Sequence, residues 1–576
     1  MTHDLPEPLT ILRLRGSHAE MGRQMGELSR DLGGAERTLE FYEQMASQML
    51  SLAIPRAVRP AARRLLQRGL GVGARKLDRA RRRRFPEYAA RTDALFRAVG
   101  IAPGQEYSIN VMDVLQNTVG ALGRLRLLET TGLSVAAVPA CTSLAVWGDA
   151  SSDGAMRHAR NFDFPGAGIW DRTPTVVFCE PDEGLRYGYV TTRGADVPGV
   201  TAFNEAGLSV TAHTRFHRDV NFHGVSVVDF GHEIIRRCRT LADVREVVGQ
   251  MQTASTWGFL VSSAHEGAAM VVETTGKTHA FTMVAPGRNH LACTNRYMAA
   301  ELTAGEVTSS PSFAVDSDAR FQRADEAVAR AGGALGRADL QRVLGDCGDP
   351  GAPDADADDR LAGNCISTPM TVKSVIFEPQ SQRVRVSTGA APTGLGPWVD
   401  VPYAWDGPVG HVPAPSPTDE DTRPSDPNAD AAVRHYVAGT RAHLAGAPGA
   451  EVRAELEAAV RKAPTEPNLR FLAAIFAVAA GDFADAVTHL DRALQRERGT
   501  YRRALLLLWH GRVLAATGRR LDAQRSWREL SGLGDAPGVD RLRAAAARET
   551  RRPLPRLRLR TVVPDVFLVD ATVPGV

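Results

Sequence analysis

From Cys141 to about Tyr403 the chain is broken by Gly, Pro, Asp and Asn into apolar runs mostly too short for a helix, and this spacing predicts a strand-rich middle. Strand-sized runs cover residues 175–180, 188–192, 199–204, 208–213, 257–262, 268–274, 279–284 and 290–294. Asn204-Glu205-Ala206-Gly207 supplies the turn of one hairpin, and residues 371–378 and 383–388 read as another. Helical patterns interrupt the strands at 225–238, 241–251, 320–331 and 338–344.

Outside this middle the pattern changes. Residues 10–127 read as helical, with Ser17 three residues before Glu20 in the manner of a capping box and helical periodicity over 35–52, 86–99 and 110–125. The arginine run at 79–84 has Asp78 and Glu87 beside it and predicts a solvated helix face. Gly69, Gly71 and Gly73 follow no strand, so they do not make a nucleotide loop. Residues 407–430 are rich in Pro, Asp and Ser and predict a linker, which sets a separately folding helical domain at 431–549 and an extended tail at 550–576. Within that domain Ala474, Gly481, Ala486, Leu490 and Ala493 recur as Gly511, Gly518, Ala523, Trp527 and Leu530. Small residues at these steps let antiparallel helices pack closely, and the spacing resembles tetratricopeptide repeats.

Composition narrows the function classes. The 576 residues predict roughly two to four domains, and 43% apolar with 23% charged residues gives ample core. A net charge of +3 on this length implies neither a nucleic-acid nor a membrane partner. No run is apolar enough for a signal peptide or a membrane span, so a cytoplasmic location is expected. Cys141, Cys179, Cys238, Cys293, Cys347 and Cys365 lack the close pairing of a zinc or redox motif, and neither a metal nor a cofactor is expected. The acidic run 354–359 lacks the glycine and the closing glutamate of a calcium loop, and reads as a solvated loop. His232-Glu233-Ile234-Ile235-Arg236 lacks the second His of a zinc-protease helix, which leaves His232 as helix surface.

One cysteine stands apart. Residues 138–147 read Val-Pro-Ala-Cys-Thr-Ser-Leu-Ala-Val-Trp, the turn formers at 149–154 follow, and residues 156–164 can return as the second strand of a hairpin. Cys141 then sits at a strand's leading edge, with Arg160 and Asp163 brought near its thiol. A cation beside a thiol favours the thiolate, so Arg160 is expected to lower the Cys141 pKa.

Cys141-Thr142-Ser143 followed by Arg160-Asn161-Phe162-Asp163 resembles the cysteine branch of the N-terminal nucleophile (Ntn) hydrolases, in particular the acyl-coenzyme A:6-aminopenicillanic acid (isopenicillin N) acyltransferase family. The stretch from Gly16 to Glu27 is similar to the opening of that family's small subunit, Asn204-Glu205-Ala206-Gly207 to its Asn-Glu-x-Gly-Leu turn, and Thr294-Asn295 to its Thr-Asn element. The resemblance covers residues 10–403. It implies an α+β protein with a four-layer α/β/β/α sandwich at 141–406, preceded by a helical segment at 1–140 that becomes a small subunit on self-cleavage between Ala140 and Cys141.

It also implies roles. Cys141 would be the nucleophile and its freed α-amine the base; Arg160 would favour the thiolate and Asp163 would hold the α-amine. Asn295 would donate to the oxyanion, with Asn204, or the strand near His213 and Thr214, completing the pocket. The family's late arginine has no counterpart at 364–368, where Arg360 is the nearest substitute. The implied activity is acyl transfer or hydrolysis at linear carbon–nitrogen amide bonds through a thioester, on a small acyl amide or acyl thioester. The alternatives are an ester-cleaving relative with the same nucleophile, and a non-catalytic scaffold binding a protein partner through the helical repeats.

Overall fold

A computed structural model describes residues 7–41, 59–102, 104–125, 140–307, 311–346, 363–417 and 427–573. Two sheets form the centre. The larger has nine strands: β1 (Thr10–Gly16), β4 (Pro174–Pro181), β5 (Tyr187–Thr192), β6 (Thr201–Asn204), β7 (Leu208–Thr214), β8 (Trp257–Ser263), β9 (Ala268–Thr274), β10 (His279–Met283) and β15 (Gly410–Val412). They lie in the order β10-β9-β8-β7-β6-β5-β4-β1-β15. The smaller sheet, ordered β11-β2-β3-β12-β13-β14, takes β2 (Ala140–Gly148), β3 (Gly154–Asp163), β11 (His290–Cys293), β12 (Thr371–Glu378), β13 (Arg383–Ser387) and β14 (Trp398–Pro402).

Alternation along the strands sets the two sheets face to face. In β7, Leu208, Val210 and Ala212 turn toward the helices, while Ser209, Thr211 and His213 turn the other way. Thr211 Oγ1 meets Ser143 Oγ of the opposite sheet at 3.0 Å, and His158 bridges Thr211 and Ser262 at 3.0 Å each. Beside this polar seam, Ile11, Val176, Phe178 and Phe203 pack against Val375, Phe377, Val384 and Val399. Each such side chain contributes about 1.5–3 kcal/mol by leaving water. Helices cover the outer faces. On the larger sheet lie α1 (His18–Leu32), α2 (Arg59–Arg84), α3 (Pro86–Val99), α4 (Val111–Arg124), α5 (Val227–Arg237) and α6 (Leu241–Gly249); α7 (Pro311–Asp325) and α8 (Arg337–Leu344) lie on the smaller.

Several sequence expectations change here. Thr10–Gly16 is a strand, not the start of a helical segment, and it pairs parallel to β4 and antiparallel to β15. The strand β15 falls inside the expected linker, so the sheet closes with residues from both sides of the segment at 141–406. The arginine run is only partly a solvated face: Arg81 is buried, donating to Asp229 (2.7 Å), Thr92 and the Tyr88 carbonyl, and Arg82 clasps Asp78 and Asp93. His232 is buried too, stacked on Tyr88 with ring centroids 4.2 Å apart and bonded to Tyr187 Oη at 2.8 Å.

The C-terminal region is a run of antiparallel helices: α9 (Pro427–Leu444), α10 (Gly449–Lys462), α11 (Pro467–Ala480), α12 (Phe483–Arg496), α13 (Thr500–Ala516), α14 (Arg520–Ser531) and α15 (Val539–Arg551). Gly481 and Gly518 close the connections after α11 and α13 in left-handed conformation. At Gly511 the Trp527 ring of α14 lies so near that a Cβ would fall 2.2 Å from its Nε1. The region does not stand apart as the linker predicted. Its tail folds into a hairpin, β16 (Val563–Asp565) and β17 (Asp570–Thr572), whose Leu568 packs on Val119, Phe216 and Phe313. Ser312 of α7 meets both Tyr501 and Asp570.

Candidate active site

The β2–β3 hairpin aligns Cys141 with Phe162 and Ser143 with Arg160. Directly opposed residues share a sheet face, so these four turn together toward the larger sheet. Asn161 turns outward, where it donates to the Leu344 and Ile366 carbonyls and accepts from Ser374 Oγ, fixing β3 to α8 and β12.

Cys141 and Arg160 are both fully buried, and Arg160 Nη2 lies 3.2 Å from Cys141 Sγ. Among the described residues no carboxylate touches the guanidinium. It donates to the carbonyls of Val200 and Ala212 and lies over the Phe162 ring, 4.9 Å from its centroid. Burial works against both charges. It lowers Arg160 and pushes the Cys141 thiol up, outweighing the opposing pull of Arg160. The expectation that Arg160 holds the thiol below its ordinary value is therefore reversed in this buried setting.

Asp163 is pushed up to about 7 by burial, against the pull of Arg320. Its Oδ1 accepts from Thr371 Oγ1 at 2.6 Å, while its buried Oδ2 has no hydrogen-bond partner among the described residues. Asn295 sits on the nitrogen of residue 141: its Oδ1 accepts from the Cys141 N–H at 3.0 Å, and its Nδ2 donates to the Thr214 carbonyl. One Asn295 amide hydrogen is thus engaged with Thr214, the second is left for another acceptor, and toward the Cys141 nitrogen Asn295 presents an acceptor.

Sequence reasoning missed Arg320. This fully buried side chain of α7 donates to the Cys141 carbonyl (2.8 Å), Thr142 Oγ1 (2.9 Å) and Asn295 Oδ1 (2.9 Å), so one cation ties three parts of the site together. Its Nε is held by Asp316 at 2.9 Å, Asp316 accepts from the Asn364 N–H, and Asn364 Oδ1 accepts from Arg502 of α13 at 2.9 Å. The helical pattern at 320–331 was the one available signal, because an arginine on a core-facing helical position needs a buried partner. Arg360, the substitute cation, lies outside the described residues, as do Cys347 and the acidic loop at 354–359.

Asn204 does not join this group. Both its amide hydrogens go to the Ile235 and Cys238 carbonyls and its oxygen accepts from Ala206 and Leu208, so it pins the β6–β7 turn to the end of α5 and leaves no donor for a substrate. Thr214 does join, since it lines the cavity at Cys141.

That cavity, of about 50 Å³, is lined by Cys141, Ile109, Met112, Phe162, Phe164, Trp170, Val197, Val200, Ala212, Thr214, Val227, Val228 and Trp257. No charged side chain is among them. Elsewhere, Glu457, Asp485 and His489 of the C-terminal helices come within ligand distance of one another, but Arg453 already donates to Asp485 at 2.5 Å and matches charge there.

No curated protein matches the chain. The crystal structure of a variant of conjugated bile acid hydrolase from Clostridium perfringens is similar over 47% of this chain and 100% of that one, with 11% identity and a TM-score of 0.30, too slight a likeness to carry argument. Residues 151–389, which include Arg160, Asp163, Asn295 and Arg320 and begin just after Cys141, match the family model of acyl-coenzyme A:6-aminopenicillanic acid acyl-transferase.

Proposed function

We propose that the protein is an acyltransferase or amide hydrolase that uses Cys141 as an N-terminal nucleophile. The observation that carries this reading is the meeting of three features at one residue: a thiol 3.2 Å from Arg160, a nitrogen held by Asn295, and an apolar cavity beside it. The family match over residues 151–389 supports acyl chemistry, and the order of helices, two sheets and helices supports reading the catalytic unit as a four-layer Ntn sandwich.

Maturation begins when the Cys141 thiol attacks the Ala140 carbonyl. The Ala140–Cys141 amide becomes a thioester, the nitrogen takes the thiol proton, and water releases Ala140 as a carboxylate. The α-amine so freed supplies the base for the buried thiol. In turnover the thiol adds to the acyl carbonyl as its proton passes to the α-amine, the C–N bond breaks with that proton leaving on the amine, and a thioester remains. Water then gives hydrolysis, and an acceptor amine gives transfer. Asp163 Oδ2 receives the charged α-amine, and Arg320 with Asn295 fixes the backbone of residue 141. Because β1 is an interior strand of the larger sheet, the segment at 1–140 stays bound after cleavage.

We read the C-terminal hairpins α11–α12 and α13–α14 as tetratricopeptide-like on the matched positions of Gly481 and Gly518. The test of the enzyme reading is intact mass with terminal sequencing of purified protein. Two chains, the larger beginning at Cys141, are expected; a single uncut chain whose Cys141 resists a small alkylating reagent under native conditions would sink it.

A further inference from the structure

The aromatic wall of the cavity is held from outside the catalytic segment. Phe162, Phe164 and Trp170 pack on one another, Trp170 lying edge-on to both phenylalanines with centroids 5.6 and 4.9 Å away. Trp170 belongs to a tight turn in which the Ile169 and Trp170 N–H groups return to the Gly166 carbonyl. Three side chains clamp that turn. Lys373 of β12, fully buried, donates to the Trp170 carbonyl; Asp171 accepts from the Gly168 and Ala391 N–H groups; and Arg441 of α9 donates through Nε to the Ala167 carbonyl at 3.1 Å. The Arg441 guanidinium lies flat on Gly168, whose φ is +90°, and a Cβ there would fall 1.6 Å from Nη2.

Resting on the acyl-enzyme reading above, we propose that the cavity takes an uncharged, apolar acyl chain whose length is read by Trp170, and that the C-terminal helical region sets this selectivity by gripping the Trp170 turn through Arg441. The chemistry of the lining argues the first part: with no charged side chain among the described residues that line it, a charged group at the far end of the chain would be buried unpaired. The second part follows from connectivity. Arg441 ties α9 to this turn at Ala167 and Gly168, and releasing it loosens that side while Lys373, Asp171 and the Gly166 carbonyl keep the turn closed, so the turn can shift as a unit and carry the Trp170 ring with it.

The test uses the full chain carrying Cys141→Ala, so that binding is read without chemistry. Butyrate, hexanoate, octanoate, decanoate and dodecanoate are titrated against tryptophan fluorescence, with suberate as the octanoate analogue charged at both ends. Affinity should rise by about fourfold per methylene up to one length and then fall, and suberate should bind about tenfold or more weaker than octanoate. Adding Arg441→Ala should move the length optimum or flatten it. Gly168→Ala, which pushes the turn from the other side, should do the same and serves if the arginine variant does not fold. Equal binding of suberate and octanoate, or no binding of any chain, overturns the assignment of the cavity. An unchanged length optimum in a folded Arg441→Ala or Gly168→Ala protein overturns the role of the helical region. Neither result depends on whether Cys141 is cleaved or acylated, so a failed enzyme reading is told apart by the mass test above.

Discussion

Two buried arginines show what separates a structural charge from a reactive one. Arg91, between α3 and the outer face of the larger sheet, makes a two-pronged pair with Asp196 (2.7 and 2.9 Å) and donates to Tyr187 and Tyr189. Burial opposes both charges there, yet each is held by the other: Arg91 ends above its ordinary value and Asp196 below. Arg160, between the sheets, has a thiol and two carbonyls in place of a carboxylate, and ends below its ordinary value. Its neighbour Asp163 ends well above. Equal burial therefore gives opposite outcomes. A matched pair is held in its charged state, whereas burial without a matched partner works against the charge, and at Asp163 it brings the carboxyl to about 7.

The comparison breaks most sharply at Cys141, the proposed nucleophile. Cys141→Ala should remain a single chain with no turnover, and cleavage of that variant at the same bond would assign the cut to another protease. Next comes the matched pair. Arg91→Met should destabilise the fold by about 3–5 kcal/mol in urea titration, because it strands a buried carboxylate. Arg160→Met strands none, so it should lose less stability while shifting the alkylation curve of Cys141 to higher pH. An Arg160 variant as unstable as the Arg91 variant would erase the distinction.

Asp163 sharpens it through pH. A carboxyl raised from 3.8 to about 7 takes up a proton on folding between those values, so stability falls as pH rises through that window and the loss is complete above about 7. Asp163→Asn should accordingly be more stable than the parent at pH 8, by something on the order of 1 kcal/mol or more, and little changed near pH 4. Turnover should drop by roughly 10²–10⁴. In the parent, activity should rise with an apparent pKa near 7 as Asp163 ionises; a flat profile between pH 5 and 8 would detach Asp163 from the chemistry. The smallest effect on activity is expected at Arg502→Ala, which removes hydrogen bonds to Asn364 at the far end of the Arg320 relay and to the Val569 carbonyl. About 2 kcal/mol of stability and a modest slowing of cleavage should result, measured by urea titration and a gel time course.

What could be read in the sequence was what neighbouring residues decide. The β2–β3 hairpin placed Arg160 against Cys141 because a turn-rich segment joins two short strands, and opposition within a hairpin fixes which side chains meet. The β6–β7 turn, α3, α4 and the β12–β13 hairpin were legible for the same reason. The strand β1 was not, although Leu12 and Leu14 alternate with Arg13 and Arg15: its partner β4 is parallel and lies far along the chain. Buried polar residues were misread alike. His232 and Arg81 look like surface until Tyr187 and Asp229 are brought to them.

The sequence by itself determined that Arg160 stands beside Cys141 and that alternating strands build two facing sheets, since each depends on residues close along the chain. Only the tertiary structure decided that Arg320 holds residue 141, that Asn295 accepts from the Cys141 nitrogen, that Asn204 is a turn clamp, and that Arg441 and Arg502 reach back from the C-terminal helices. The physical reason is burial. Desolvation is set by everything packed around a group, and it reverses the expected shift of the Cys141 thiol while bringing Asp163 to the edge of ionisation.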